Sequence, residues 1–321
     1  AAFVSFFPQL VAGPIERASN LLPQILRKRQ FQTDSAIEGI GLIIWGFFKK
    51  VVVADNLALA VNDIFGRQSE LDSGTLILGS IYFAFQIYGD FSGYSDIAIG
   101  TARLFGINLM TNFRFPYFSR DIPEFWRRWH ISLSTWFRDY LYIPLGGSKV
   151  GKLKGIRNVF VIFLVSGFWH GANWTFIIWG GIHAFLFLPQ FILDANRKYS
   201  NSEIAEGKLF PSLHEFRQLI FTFILVCISW IFFRSNSVGD SFEYITRSIR
   251  FSNIGDFLKY RNHFSEGSHL EFLLIIFIFI VFEYYIFKNK YMNISLRVLL
   301  LILIAIFGNF VNQSSFIYFQ F

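Results

Sequence analysis

From Val159 to Leu193 the chain carries no lysine, arginine, aspartate or glutamate. A helical crossing of bilayer hydrocarbon takes about 17–25 residues, so this run of 35 residues could form two short ones. In lipid every backbone N–H and C=O must be satisfied within the chain, which leaves helices as the expected structure. The only side chains in the run that titrate near neutral pH are His170 and His183. A polar ring at membrane depth costs several kcal/mol unless it has a partner or faces a wet cavity. An intramembrane histidine is therefore a functional candidate from the outset.

The rest of the chain fits the same solvent. Of 321 residues 53% are hydrophobic and 16% charged, and 43 are phenylalanine. A soluble fold of this size could hardly hide that much apolar surface, so the expected class is an all-α, polytopic integral membrane protein. The single cysteine, Cys227, excludes an intrachain disulfide or a cysteine-based metal site and reads as a small buried hydrophobe. The net charge of +7 sits mostly in the connections between apolar runs, where lipid headgroups account for it and no nucleic-acid partner is expected.

The apolar runs predict an order of spans. Residues 1–15 are broken by Pro8 and Pro14 and are too short to cross alone. The chain starts at Ala1 already inside apolar sequence, with the expectation that upstream spans are missing. Ile37 to Phe65 predicts a span followed by an interfacial helix, and Leu76 to Ile87 begins the next. About five spans are expected beyond Arg157: two in Val159 to Leu193, hinged near Gly171 to Asn173 with Asn173 as helix cap, then Leu219 to Phe233, Leu270 to Phe287 and Val298 to Val311. No fixed-period repeat is visible. Arg103 to Arg157 differs in kind. It has ten cations against Asp121, Glu124 and Asp139, with many aromatic rings. That mixture suits the headgroup layer and marks residues 103–157 as an interfacial segment on the cytoplasmic side.

Asp121-Ile122-Pro123-Glu124 reads as a helix start, with aspartate at the cap and an acid three residues on. The helix is expected to run to about Tyr142 and to align Trp126, His130, Phe137 and Leu141 on one face. His130 then reads either as an interfacial anchor or as a site residue. His170 reads either as a core histidine bonded to a carbonyl or as a base, because neutral imidazole accepts a proton near physiological pH. Gly167 and Gly171 would let backbone or ligand approach it. His183, beside Gly180 and Gly181, is expected to be a helix-packing hydrogen-bond partner. His214, His263 and His269 read as solvated. Asp90 and Asp96 are expected to line or shape a cavity. No HExxH pair, GxSxG elbow, P-loop or dinucleotide fingerprint occurs, and no metal is expected.

Several strings resemble one known family. They include Phe6 to Ile15, Phe48 to Asn56, Asp90-Phe91-Ser92-Gly93-Tyr94-Ser95-Asp96-Ile97-Ala98, and Phe125-Trp126-Arg127-Arg128-Trp129-His130-Ile131-Ser132-Leu133-Ser134. Tyr142 to Gly147, Trp169-His170-Gly171 and the ending Phe316 to Phe321 complete the set. Each is weak alone, but together, in this order, they make the chain similar to the membrane-bound O-acyltransferases, in particular the alginate O-acetyltransferase branch.

The resemblance implies a single membrane domain over residues 1–321, helical around a tunnel through the bilayer, with interfacial or re-entrant helices. It implies that His170 is the catalytic histidine and His130 the second characteristic one. The implied donor is acetyl-CoA or another acyl thioester. The implied acceptor is a hydroxyl of an exported polysaccharide such as alginate, or a periplasmic carrier protein. Periplasmic acetyltransferase partners and a bacterial inner-membrane location follow from the same likeness. D-alanyl transfer to teichoic acid is the near alternative, since sister proteins perform it. A proton-coupled transporter or flippase using Asp90 and Asp96, or a non-catalytic scaffold, are alternatives of other classes.

Overall fold

The computed structural model describes residues 3–147, 149–250, 260, 262, 268–311 and 316. Among them every regular element is helical. In chain order these are α1 (Ala18–Leu26), α2 (Thr33–Phe47), α3 (Asp55–Gly66), α4 (Ser73–Leu104), α5 (Ile122–Arg128), α6 (Ile131–Phe137), α7 (Lys152–His170), α8 (Trp174–Ile192), α9 (Leu213–Arg234), α10 (Val238–Ile249), α11 (His269–Asn289) and α12 (Ile294–Phe307). A short 3-10 turn spans Phe7–Gln9, and π-helical stretches span Phe48–Ala54 and Arg138–Tyr142. Among the described residues three helices, α8, α9 and α11, are long and apolar enough to cross a membrane. Helices α7 and α12 occupy the other two expected spans. α7 begins with Lys152, Lys154 and Arg157, and α12 has only 14 residues.

The chain forms two compact units. The first comprises residues 1–112 and 251–321. The expected span and interfacial helix of residues 37–65 form one path instead: α2 passes through the π-helical stretch straight into α3. The mixed string from Tyr88 to Asp96 likewise does not interrupt its helix, because α4 continues for 32 residues. Helices α2 and α4 meet through glycines seven residues apart. A Cβ on Gly46 would lie 2.6 Å from the carbonyl oxygen of Gly93, and one on Gly39 would lie 2.7 Å from that of Gly100. Only hydrogen side chains let the two backbones come this close, the packing mode that membrane helices use when lipid offers no hydrophobic drive.

The π-helical turn then aims Lys49 and Lys50 inward. Lys49 Nζ lies 2.6 Å from Asp96, and Lys50 Nζ lies 2.7 Å from Asp90 and 2.9 Å from Asp55. Asp90 and Asp96 thus lie within the helix packing, each facing a lysine. The turn itself is tied down by the Asn309 N–H, which donates to the Val51 carbonyl at 2.9 Å.

His269 corrects the expectation of a solvated ring. It is 5% exposed, and Tyr260 stacks on it at 4.3 Å. Thr75 gives its hydroxyl proton to Asp72, so Nε2 of His269 donates to Thr75 Oγ1 at 3.1 Å, and Nδ1 accepts from the Tyr82 hydroxyl at 2.9 Å. The polar flank at Ser268 and Glu271 had concealed this burial. His214 is exposed as expected, and His263 and residues 317–321 of the terminal string lie outside the described residues.

The second unit comprises residues 113–250. Its centre is the α7–α8 hairpin, broken where the sequence predicts. The Asn173 side chain accepts from the Thr175 N–H at 3.1 Å and starts α8. A Cβ on Gly180 would sit 2.2 Å from the Phe163 carbonyl oxygen, and one on Gly167 would sit 2.3 Å from that of Phe176. Gly167 therefore serves helix contact rather than ligand approach. Asp121 caps α5, accepting from the Glu124 N–H at 2.7 Å. The expected long helix does not follow. It breaks at His130, whose φ of 43° is left-handed, and resumes as α6. Trp126 and His130 consequently do not share a face.

Arg120 and Glu124 are both buried. The Glu124 carboxylate takes Arg120 at 2.9 Å and Arg128 at 2.7 Å, and the Arg120 guanidinium lies 4.0 Å from the Tyr199 ring centroid. A buried carboxylate with two such partners pins the segment that enters α5.

Candidate active site

Three histidines gather in the second unit, and each has a different environment. His183, on α8, is wholly buried. The indole N–H of Trp126 donates to its Nδ1 at 3.2 Å. Indole can only donate, so Nδ1 carries no proton, and the ring is neutral with its hydrogen on Nε2. That hydrogen goes to Ser229 Oγ at 2.9 Å, and the serine hydroxyl passes its own to the Val226 carbonyl at 2.7 Å. One imidazole thus joins α5, α8 and α9 through a chain in which every donor finds an acceptor. His183 is the helix-packing partner that the sequence predicts.

His130 sits at the break between α5 and α6 and is 4% exposed. Its ring stacks on Phe113 at 6.3 Å and meets Trp169 at 6.5 Å. Burial, and then the nearby His170 imidazole, hold its pKa well below the usual histidine value. The left-handed backbone is tolerated because the aromatic contacts fix the side chain, and such non-glycine outliers gather at functional sites.

His170 is the last residue of α7 and is half-buried. Aromatic rings surround it: Trp169 at 5.0 Å, Phe233 at 5.1 Å and Trp179 at 5.2 Å, the last nearly perpendicular at 88°. Trp169 borders both His130 and His170, so the fold brings together two residues forty positions apart. The sequence named both histidines but missed Trp179 and Phe233. Thr175, Trp179 and His183 recur every fourth residue, which places them on one face of α8 and is the signal that could have found Trp179; Phe233 comes from α9 and has no such local signal.

A cavity of about 510 Å³ opens in the same unit. Its wall is largely apolar, with Trp126, Leu133, Phe163, Phe187 and Phe191; Arg138, Lys152 and Arg197 also line it, as does Asp194, 3.2 Å from Lys152 Nζ. Neither His130 nor His170 is among its lining residues. The cavity does reach Ser166, one helical turn before His170, and Leu133 and Ser134, one turn after His130. This volume falls in the range of small-molecule sites. Among the described residues no group of three or more His, Cys, Asp or Glu side chains is arranged to hold a metal.

The family model of the membrane-bound O-acyltransferases matches residues 1–204. The chain belongs to the membrane-bound O-acyltransferase family. It is 43% identical to a probable alginate O-acetylase AlgI of Pseudomonas syringae pv. tomato, over 74% of this chain and 43% of that protein. It is 42% identical to a peptidoglycan O-acetyltransferase of Helicobacter pylori, over 76% of this chain and 45% of that protein. A teichoic acid D-alanyltransferase of Bacillus subtilis is 31% identical, over 72% of this chain and 60% of that protein. The chain spans less than half the length of the first two relatives and 60% of the third.

Proposed function

We propose that the protein is a membrane O-acyltransferase that moves an acetyl group from an acyl thioester to a hydroxyl of an exported polysaccharide. His170 is its base. One observation carries the reading: a cavity with apolar walls and cationic members lies in the unit that holds both histidines and reaches within one helical turn of each. An acyl thioester such as acetyl-CoA suits such a space. Its phosphates pair with Arg138, Lys152 and Arg197, and its acyl end lies among the aromatic rings, where water is scarce and hydrolysis is suppressed.

In this reaction the acceptor hydroxyl attacks the carbonyl carbon as its proton passes to His170. The tetrahedral intermediate collapses with loss of the thiolate, which takes that proton back. His130, kept neutral by burial, positions the donor or the second imidazole. The basic aromatic segment of residues 103–157 lies on the cytoplasmic side of a bacterial inner membrane, where the donor is made, and periplasmic acetyltransferases act on the product side. The Pseudomonas and Helicobacter relatives support an acetyl donor and a polysaccharide or peptidoglycan acceptor. D-alanyl transfer has the support of the Bacillus relative at lower identity and uses the same donor chemistry.

The test replaces His170 by Gln in the full-length protein and measures acetyl groups on exported polymer. Loss of at least 100-fold is expected, at unchanged membrane abundance. Wild-type acetylation in a folded His170→Gln protein would overturn the reading. D-alanyl esters in place of acetyl esters would select the alternative.

A further inference from the structure

Two buried donors on α8, one of them beside His170, have no acceptor among the described residues. One is the indole Nε1 of Trp179, whose side chain is 1% exposed. The other is the hydroxyl of Thr175, which is fully buried. They stand one turn apart on the same face of α8. A neighbouring indole sharpens the contrast. Trp126 lies 5.8 Å from Trp179, and its N–H is satisfied by His183. The fold thus provides an acceptor for one indole and leaves the other unmet, 5.2 Å from the His170 ring between centroids. Nearly all buried polar groups in folded proteins are paired, and an exception beside a candidate base calls for a chemical explanation. Trp179 is also immobilised. Trp230 stacks on it at 5.8 Å and Phe233 packs at 5.1 Å, so its N–H direction is fixed before any ligand arrives.

We infer that Trp179 and Thr175 are the hydrogen-bond donors that receive the acyl carbonyl oxygen as it becomes an oxyanion. The inference rests on the acyltransferase reading given above. As the acceptor hydroxyl adds to the carbonyl carbon, a C–O bond forms and the hydroxyl proton passes to His170. The carbonyl π pair moves onto oxygen, where the indole N–H and the threonine O–H bind it. Collapse restores C=O, breaks C–S and releases the thiol after protonation. Because the charge exists only in the transition state and the intermediate, these donors act on turnover more than on donor binding.

The experiment uses the full-length protein in nanodiscs, with labelled acetyl-CoA and polysaccharide extracted from an acetylation-deficient host as probes. Trp179→Phe keeps a ring and removes the N–H. It is expected to lower kcat about 100-fold with donor KM within threefold, the loss typical of one oxyanion donor. Thr175→Val, nearly isosteric, is expected to lower kcat about tenfold or more with the same KM. If Trp179→Phe fails to yield monodisperse protein, Thr175→Val decides alone. Turnover within twofold of wild type in the folded variants, or a loss lying wholly in KM, overturns the inference. The two failures are distinguishable. An active His170→Gln protein, or a wild type that cannot use acetyl-CoA, refutes the acyltransferase reading itself. An active wild type, an inactive His170→Gln and normal Trp179 and Thr175 variants refute only the donor assignment.

Discussion

The indole N–H of Trp126 donates to Nδ1 of His183 across 3.2 Å and fixes that histidine as the neutral tautomer. The consequence is a stability prediction. His183→Leu leaves the Trp126 N–H without its acceptor in a site that water does not reach, and deprives Ser229 Oγ of a donor. Each unmet buried donor or acceptor costs about 1–3 kcal/mol. Combining His183→Leu with Trp126→Phe should cost less than the sum of the two, because one change removes the group that the other strands. Reversible SDS titration of the full-length protein measures both terms, and full additivity would show that the two rings are not coupled.

Gly46 and Gly93 predict a second, steric outcome. Gly46→Ala places a methyl 2.6 Å from a carbonyl oxygen, so α2 and α4 must separate. Overpacking of this kind costs about 1–3 kcal/mol. Gly66, at the end of α3, has nothing within 4 Å of its added Cβ and serves as the control. Gly66→Ala should be neutral or raise stability by about 0.4–1 kcal/mol through the unfolded chain. The midpoints of the same SDS titration separate the two glycines, and an equal response from both would refute the packing argument.

These residues also mark what a sequence can disclose. The hinge at Asn173 was legible because a short polar side chain interrupts an apolar run, and capping is a local act. His170 and His183 were legible because isolated polar rings are conspicuous in apolar sequence. The break at His130 was not, since neither glycine nor proline marks it and the left-handed turn is stabilised by rings from other segments. The burial of His269 was hidden for a similar reason. Its hydrogen-bond partners Thr75 and Tyr82 lie 194 and 187 residues away in the chain, while Ser268 and Glu271 flank it locally. Local chemistry wrote the caps and glycine contacts into the sequence, whereas partner choice depends on which helices meet.

His130 carries a pH dependence whose sign follows from its burial. Its folded pKa lies well below the ordinary 6.5, lowered first by desolvation and then by His170. The unfolded chain therefore binds the proton more readily. The neutral ring's contribution to stability is complete above about pH 6.5 and declines as acid titrates the unfolded state, until the folded value is reached. His130→Gln does not titrate, so its stability should fall less between pH 7 and pH 5 than that of wild type. Thermal melting in detergent across that interval provides the comparison, and parallel curves would show that His130 is not a buried neutral ring.

Lys49 and Asp96 separate an ion pair of structural use from a proton relay. Their 2.6 Å contact is buried on the lysine side, and the ammonium also lies 5.6 Å from the Trp45 ring centroid and 5.8 Å from that of Tyr88. Removing one member of a buried pair strands the other charge, at about 3–5 kcal/mol. Replacing both members by apolar side chains of similar volume removes the penalty together with the attraction. Lys49→Met should therefore be severely destabilising and Lys49→Met with Asp96→Leu much less so, with acyl transfer returning as the fold returns. A relay predicts the opposite pattern, because a double variant without a titratable carboxylate cannot carry protons however well it folds. Polymer acetylation and SDS midpoints, measured on the same three proteins, decide between them: activity that tracks stability assigns the pair to the scaffold, and a stable but inactive double variant assigns Asp96 to proton transfer.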